Sequence, residues 1–199
     1  MLYSFFKLWL PKLFQLCFGC KHSGLENIPK EGGVILAANH ISNWDPPVAA
    51  AFVPRRVFYM AKEELFRIPL FGSAIRALGA FPVRRGASDR AAIRKAINLL
   101  SDGACLGVFP EGTRSRTGAL GKAEPGLALL AVKSGAPVVP AALVGTNRIF
   151  SKGCFFPRVE IRYGKPLAFT AERADRAAMQ AFSDRVMAEI GKLLEEGQK

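Results

Sequence analysis

From Val34 onward, short β-prone runs alternate with stretches of helical periodicity, and that alternation leaves few architectures open. Val34-Ile35-Leu36-Ala37-Ala38 is apolar throughout, as a strand covered on both faces should be. Val57 to Met60, Phe81 to Val83, Cys105 to Phe109, Val138 to Val144 and Val159 to Tyr163 are the further strand candidates. Between them, Ser88 to Leu100 carries Ile93, Ile97 and Leu100 at helical spacing, with Ser88 placed as a cap. Gly126 to Lys133 is apolar and Ala-rich, which predicts a buried helix. Phe182, Val186, Ile190 and Leu193 form the stripe of a C-terminal amphipathic helix. The pattern predicts an α/β layered single domain with a largely parallel central sheet flanked by helices. Pro140 lacks an N–H for the ladder, so it weakens its strand or places it at an edge or bulge. At 199 residues the chain is long enough to bury a core of its own.

Met1 to Phe18 has a different character. Thirteen of its eighteen residues are apolar, yet Lys7, Pro11 and Lys12 interrupt them. No run approaches the ~20 apolar residues of a spanning helix, and no basic leader or small-x-small site marks a signal peptide. Trp9, several Phe and two Lys suit a segment lying in the headgroup region of one leaflet. The alternative is a first helix packed on the chain's own core.

Charge narrows the partners. The chain has 28 Lys and Arg against 16 Asp and Glu, a formal net charge of +12. Nine basic and three acidic residues fall between Arg55 and Arg94. Such a field attracts polyanions, anionic membranes or phosphorylated small molecules. A nucleic-acid-binding module is the rival from another class, but there is no zinc-finger spacing, RNP-like aromatic strand or basic recognition helix. Nucleic acid is therefore not an expected partner. Cys17, Cys20, Cys105 and Cys154 are too few for a disulfide scaffold, and Cys17-x-x-Cys20 lacks a second ligand pair for zinc. They read as small thiols in apolar surroundings.

In an α/β sheet, reactive groups collect where strands end and loops begin. The first polar stretch after a strand is Asn39-His40-Ile41-Ser42-Asn43-Trp44-Asp45-Pro46. A turn through Asn43 and Trp44 would fold Asp45 back onto the His40 imidazole. A carboxylate there fixes the tautomer and stabilises the imidazolium, leaving the other nitrogen free to take a proton. Alternatively, Asp45 before Pro46-Pro47 is a helix cap and His40 a polar strand end. The second stretch is Phe109-Pro110-Glu111-Gly112-Thr113-Arg114-Ser115. Gly112 allows close backbone approach, Thr113 offers a hydroxyl, and Arg114 can grip a phosphate through two parallel hydrogen bonds. Glu111 is placed to orient that guanidinium, or simply to form a loop ion pair with it. The third is Phe81-Pro82-Val83-Arg84-Arg85, a short strand ending in paired arginines.

His-x-x-x-x-Asp, Phe-Pro-Val-Arg-Arg, Phe-Pro-Glu-Gly-Thr-Arg-Ser and Val-Val-Pro-Ala-Ala-Leu-Val-Gly, in that order, resemble the four motif blocks of the lysophosphatidic acid acyltransferase family. The resemblance runs from about Gly24 to Gly164 and includes Ala61-Lys62-Glu63-Glu64-Leu65-Phe66 and Pro69-Leu70-Phe71-Gly72. It implies an apolar membrane-associated segment over residues 1–23 and an acyltransferase domain over residues 24–199. It implies transfer of an acyl group from a thioester, on coenzyme A or acyl carrier protein, to the hydroxyl of 1-acylglycerol-3-phosphate. The product would be phosphatidic acid, for phospholipid biosynthesis at the cytoplasmic face of a membrane, with the protein peripheral or monotopic there and in contact with anionic lipids. By resemblance His40 and Asp45 are the catalytic pair, and Arg84, Arg85, Glu111, Gly112, Thr113 and Arg114 bind the acceptor. Pro140 falls in the fourth block, whose implied role is architectural. Glu124 departs from the pattern, since relatives commonly carry a basic residue before the Pro-Gly at 125–126. The same chemistry on glycerol 3-phosphate, another lysophospholipid or an amino-lipid is the alternative. The physics is compatible: histidine has the right strength to deprotonate an attacking alcohol at neutral pH. No G-x-S-x-G elbow is present to support a covalent serine route. No cofactor and no metal are expected, only the thioester co-substrate.

Overall fold

Side chains alternate across a strand, so a strand apolar at every position demands cover on both faces. The computed structural model, which describes residues 2–84, 89–151, 153 and 156–196, has that arrangement. The strands are β1 (Lys21–Ser23), β2 (Val34–Ala38), β3 (Val57–Lys62), β4 (Ala80–Val83), β5 (Cys105–Val108), β6 (Val138–Val144) and β7 (Glu160–Tyr163). They form one sheet in the order β1-β7-β6-β2-β5-β3-β4. The stretch β6-β2-β5-β3-β4 is parallel throughout, while β7 runs antiparallel to β6 and β1 lies parallel to β7. The helices are α1 (Leu2–Phe18), α2 (Asp45–Ala51), α3 (Phe71–Ala77), α4 (Arg90–Ser101), α5 (Gly126–Ser134) and α6 (Arg176–Glu196).

The two faces separate cleanly. Val34, Leu36 and Ala38 of β2, with Val139, Ala141 and Leu143 of β6, pack against Phe14 and Phe18 of α1 and Val48 of α2. Ile35 and Ala37, one residue out of phase, meet Leu100 of α4, Leu127 of α5 and Val186 and Ile190 of α6. All five β2 residues are buried, as an uninterrupted apolar run at the sheet centre requires.

Pro140 lies in an interior strand, not at an edge, and the ladder accommodates it. Its neighbour two residues earlier, Val138, exchanges both backbone hydrogen bonds with Leu167 at 2.8 Å. The β6–β7 ladder begins at Ala141↔Tyr163. Groups two residues apart point the same way along a strand, so the missing N–H of Pro140 faces the gap between these pairings. The Pro140 carbonyl still accepts from Gly164 N at 2.8 Å. Ser88 lies outside the described residues; the α4 cap is Asp89, whose carboxylate accepts from Ala92 N at 3.0 Å.

Helix α1 has two unlike flanks. On one, Phe14 and Phe18 are buried, and Lys7 Nζ donates to the carbonyls of Ala51 at 3.1 Å and Val53, at the C-terminal end of α2. A cation there complements the helix dipole. Burial pushes the Lys7 amine below its ordinary pKa. On the other flank Phe5, Leu8, Trp9, Leu13 and Leu16 are exposed, three or four residues apart. No helix among the described residues is long and apolar enough to cross a membrane.

Gly107 in β5 marks the tightest side-chain fit on the sheet. A Cβ built there would lie 2.0 Å from Cε1 of Tyr59, whose ring covers the glycine. Gly107→Ala should therefore displace Tyr59 and cost about 1–3 kcal/mol through overpacking. A urea unfolding series should show a lowered midpoint, and an unchanged midpoint would mean that the ring has room to move.

Candidate active site

The C-terminal ends of β2 and β5 are neighbours, because Ala37 pairs with Val108. The chain leaves β2 through Asn39 and His40 and leaves β5 through Phe109 and Pro110, so the two polar loops meet above one sheet edge. Asn39 anchors the first. Its side-chain amide donates to Leu143 O at 3.0 Å and its carbonyl accepts from Leu143 N at 2.7 Å, extending the β2–β6 ladder by one side chain.

The expected turn through Asn43 and Trp44 forms, with Asp45 N donating to Ser42 O at 3.3 Å. It opens α2 and brings Asp45 onto the imidazole: Nδ1 of His40 lies 2.7 Å from Oδ2 of Asp45. That oxygen also accepts from the backbone N–H of Ile41 at 2.7 Å and Ser42 at 2.6 Å. Oδ1 accepts from the Thr146 hydroxyl at 2.6 Å. Asp45 is fully buried and His40 8% exposed. A buried carboxylate needs such a set of donors, since leaving it unpaired would cost several kcal/mol.

Since the carboxylate accepts from its other three partners, the His40–Asp45 proton belongs on Nδ1, which makes Nε2 the acceptor nitrogen. Nε2 has no hydrogen-bond partner among the described residues. The His40 side chain keeps 10% of its surface exposed. The ring is held from the side as well. Phe109 stacks on it with centroids 4.0 Å apart and planes 17° apart, and Tyr59 stacks on Phe109 at 6.0 Å and 15°. Burial raises the Tyr59 phenol well above its ordinary pKa, with Cys105, Tyr163 and Asp45 adding, so it stays neutral.

The second loop is tied to the first by its backbone. Ser115 N donates to His40 O at 2.8 Å, and Glu111 Oε1 accepts from His40 N at 2.9 Å. Glu111 Oε2 accepts from Gly121 N at 3.0 Å. Glu111 thus braces the backbone of the histidine and does not form the expected pair with Arg114: Gly112, at φ +67, turns the chain between them. A Cβ on Gly112 would lie 2.9 Å from Cγ of Glu124, so this conformation and this packing both call for glycine. Thr113 and Arg114 are exposed, and Arg114 makes no ion pair among the described residues. Arg114 precedes Ser115, whose N–H is bonded to His40 O, so the backbone of the arginine runs close to that of the histidine.

Arg84 is less close. It follows the edge strand β4, three strands from β2, or about 14 Å at ~4.8 Å per strand. Its Nε donates to Glu63 at 2.9 Å, and hydrogen bonding from Arg84 followed by its charge holds the Glu63 carboxyl below its usual range. Arg85 lies outside the described residues. Burial pushes the Cys20 and Cys105 thiols up to about 12, so neither offers a thiolate at neutral pH.

Sequence reasoning passed over Thr146, Asn39 and the Tyr59–Phe109 stack. Thr146 carried a readable signal, a hydroxyl just past a buried strand, where α/β sheets gather functional groups. Which carboxylate it would meet was not readable.

Residues 19–144 match the acyltransferase family. The 1-acyl-sn-glycerol-3-phosphate acyltransferase of Bacillus subtilis is 33% identical over 171 residues, covering 83% of this chain and 82% of that protein. The protein of the same name from Borreliella burgdorferi is 36% identical over 136 residues, covering 67% of this chain and 54% of its relative. The crystal structure of the 1-acyl-sn-glycerophosphate (LPA) acyltransferase PlsC from Thermotoga maritima superposes with a TM-score of 0.77 at 30% identity. The match covers 96% of this chain and 79% of that one. With strands β1 to β6 and the His–Asp pair inside the matched region, the chain belongs to the acyltransferase family.

Proposed function

We propose that this chain is a 1-acylglycerol-3-phosphate O-acyltransferase, carrying an acyl group from a thioester of coenzyme A or acyl carrier protein to lysophosphatidic acid. The observation that carries the reading is the buried His40–Asp45 pair, with Nε2 left without a partner among the described residues and an exposed arginine on the loop bonded to the histidine's backbone. The names of the relatives support the acceptor.

The chemistry balances without a covalent enzyme intermediate. As the acceptor hydroxyl attacks the thioester carbonyl, its proton passes to Nε2 of His40, and Asp45 stabilises the imidazolium. The tetrahedral intermediate then expels the thiolate, which takes that proton back. An ester C–O bond replaces the thioester C–S bond, and the histidine ends as it began. Arg114 holds the acceptor's phosphate, which places the hydroxyl at Nε2. Arg84 contributes positive charge further out, Arg85 is assigned to the acceptor by its motif alone, and Glu111, Gly112 and Thr113 shape the loop that carries Arg114.

His40→Ala should lower turnover by about 10²–10⁴-fold, the usual contribution of a general base, with acceptor binding nearly intact. Asp45→Asn should be damaging but less so, through loss of the correct tautomer. A folded His40→Ala protein retaining more than about a tenth of wild-type turnover would overturn the base assignment.

Arg114→Ala should raise the acceptor KM by about ten- to a hundred-fold, as expected for a lost charge-assisted contact, and leave the thioester KM little changed. Arg114→Lys should rescue poorly because an ammonium cannot reproduce the fork. Steady-state kinetics varying each substrate in turn decides; equal effects on both would indicate a structural role.

The protein also works at a membrane surface on this reading, its cytoplasmic face. The exposed stripe Phe5, Leu8, Trp9, Leu13 and Leu16 supports it, with Lys12 5.0 Å from the Trp9 ring. Because Phe14 and Phe18 are core residues, deleting the helix would confound binding with folding. Serine at Leu8, Leu13 and Leu16 tests the exposed face alone. Co-sedimentation with anionic liposomes should fall sharply while thermal stability holds. Undiminished binding of that variant would remove α1 as the membrane contact.

A further inference from the structure

The fourth sequence block ends in Val144-Gly145, Thr146 follows directly, and the geometry there is closely determined. Gly145 has φ +81, and a Cβ on it would lie 2.3 Å from the carbonyl oxygen of Arg158. The backbone conformation and the packing both exclude a side chain, so the chain turns sharply as β6 ends. That turn carries Thr146 inward, where it is fully buried although it is polar. Its hydroxyl donates to Oδ1 of Asp45 at 2.6 Å, across 101 positions of sequence.

The four donors on Asp45 differ in what they can fix. The backbone N–H groups of Ile41 and Ser42 hold Oδ2, but both belong to the turn that carries Asp45. They orient the carboxylate relative to that turn. Neither ties it to the sheet. Thr146 takes the other oxygen and stands in the turn just past β6, the strand that pairs with β2 next to Asn39. Two oxygens held from two directions leave the carboxylate no free rotation, and Oδ2 then stands opposite Nδ1.

Resting on the assignment of His40 as the general base, we infer that Thr146 is a positioning residue for the reaction. It acts through Asp45 and touches neither substrate nor the imidazole. A residue that merely fills space would be replaceable by an isostere; this one contributes a single donor to a buried carboxylate. The turn that ends the fourth block therefore delivers a group to the active site in addition to its architecture.

Thr146→Val keeps the shape and removes the donor, whereas Thr146→Ser keeps the donor. The valine variant should lose about ten-fold in kcat, the usual weight of a hydrogen bond to a charged group, with both KM values within about two-fold of wild type. The serine variant should stay close to wild type. In an Asp45→Ala background the valine substitution should cost nothing further, because its target is gone. The Nδ1 proton resonance of His40 should shift in the valine variant and return in the serine one. If Thr146→Val does not fold, Thr146→Ala removes the same hydroxyl and is read in the same way. Unchanged kcat in a folded hydroxyl-free variant, or an equal loss with and without Asp45, would refute the role. An active His40→Ala protein would instead remove the base assignment beneath it, so the two failures are distinguishable.

Discussion

A carboxylate with no access to water is costly unless its lone pairs are met by donors, and Asp45 has four. Much of the local structure can be understood as the supply of those donors. Two come from the tight turn after β2, one from the imidazole, and one from the end of β6. Each source constrains a different piece of chain, so the carboxylate fastens the His40 turn, α2 and β6 to one another. Removing the aspartate would loosen three elements, while removing the Thr146 hydroxyl would leave Oδ1 without a partner among the described residues.

The histidine is fixed by a second set of contacts that involves no charge. Phe109 covers one face of the imidazole, Tyr59 covers Phe109, and Gly107 gives Tyr59 the space to lie flat. Rings stacked this way hold the plane of the imidazole, while Asp45 holds its edge. Nε2, the atom a general base must expose, has no partner among the described residues. The β5 loop adds a third restraint through the backbone of His40, using Ser115 and Glu111. The residue next to that anchor is Arg114, so the groups proposed to hold the phosphate and to take the proton share one short stretch of hydrogen-bonded backbone.

Around the site the sheet divides the molecule into two chemically different sides. One is covered by α1 and α2, and there α1 turns a row of large apolar side chains outward. The other is covered by α4, α5 and α6, whose contacts with the sheet are those of an ordinary core. An apolar stripe on a helix anchored by buried Phe14, Phe18 and the Lys7 contacts is rigidly placed relative to the active site. Core cover is thus the role of one face of this helix, and the membrane contact proposed above concerns the opposite face.

The sequence alone determined the elements whose environment is uniform. Val34–Ala38 and Val138–Val144 were legible as strands, because burial on both faces writes itself as an unbroken apolar run. The α4 and α6 helices were legible from their periodicity, and His40, Asp45 and Arg114 from their spacing after strands. Strand β1 was not, because Lys21-His22-Ser23 is polar and becomes a strand only where β7 offers an open edge. The short helices α2 and α3 have too few turns to show a period. Pro140 looked like an edge residue because the gap that accepts it is made by Leu167 returning to Val138. Glu111 looked like a partner for Arg114 because local spacing cannot show that Gly112 turns the chain away. Thr146 reaches Asp45 across 101 residues. Periodicity and spacing record how a residue relates to its own element, so they disclosed the strands, the helices and the candidate site residues. Which donor meets which acceptor depends on where separate elements come to rest, and only the packed tertiary structure decided that.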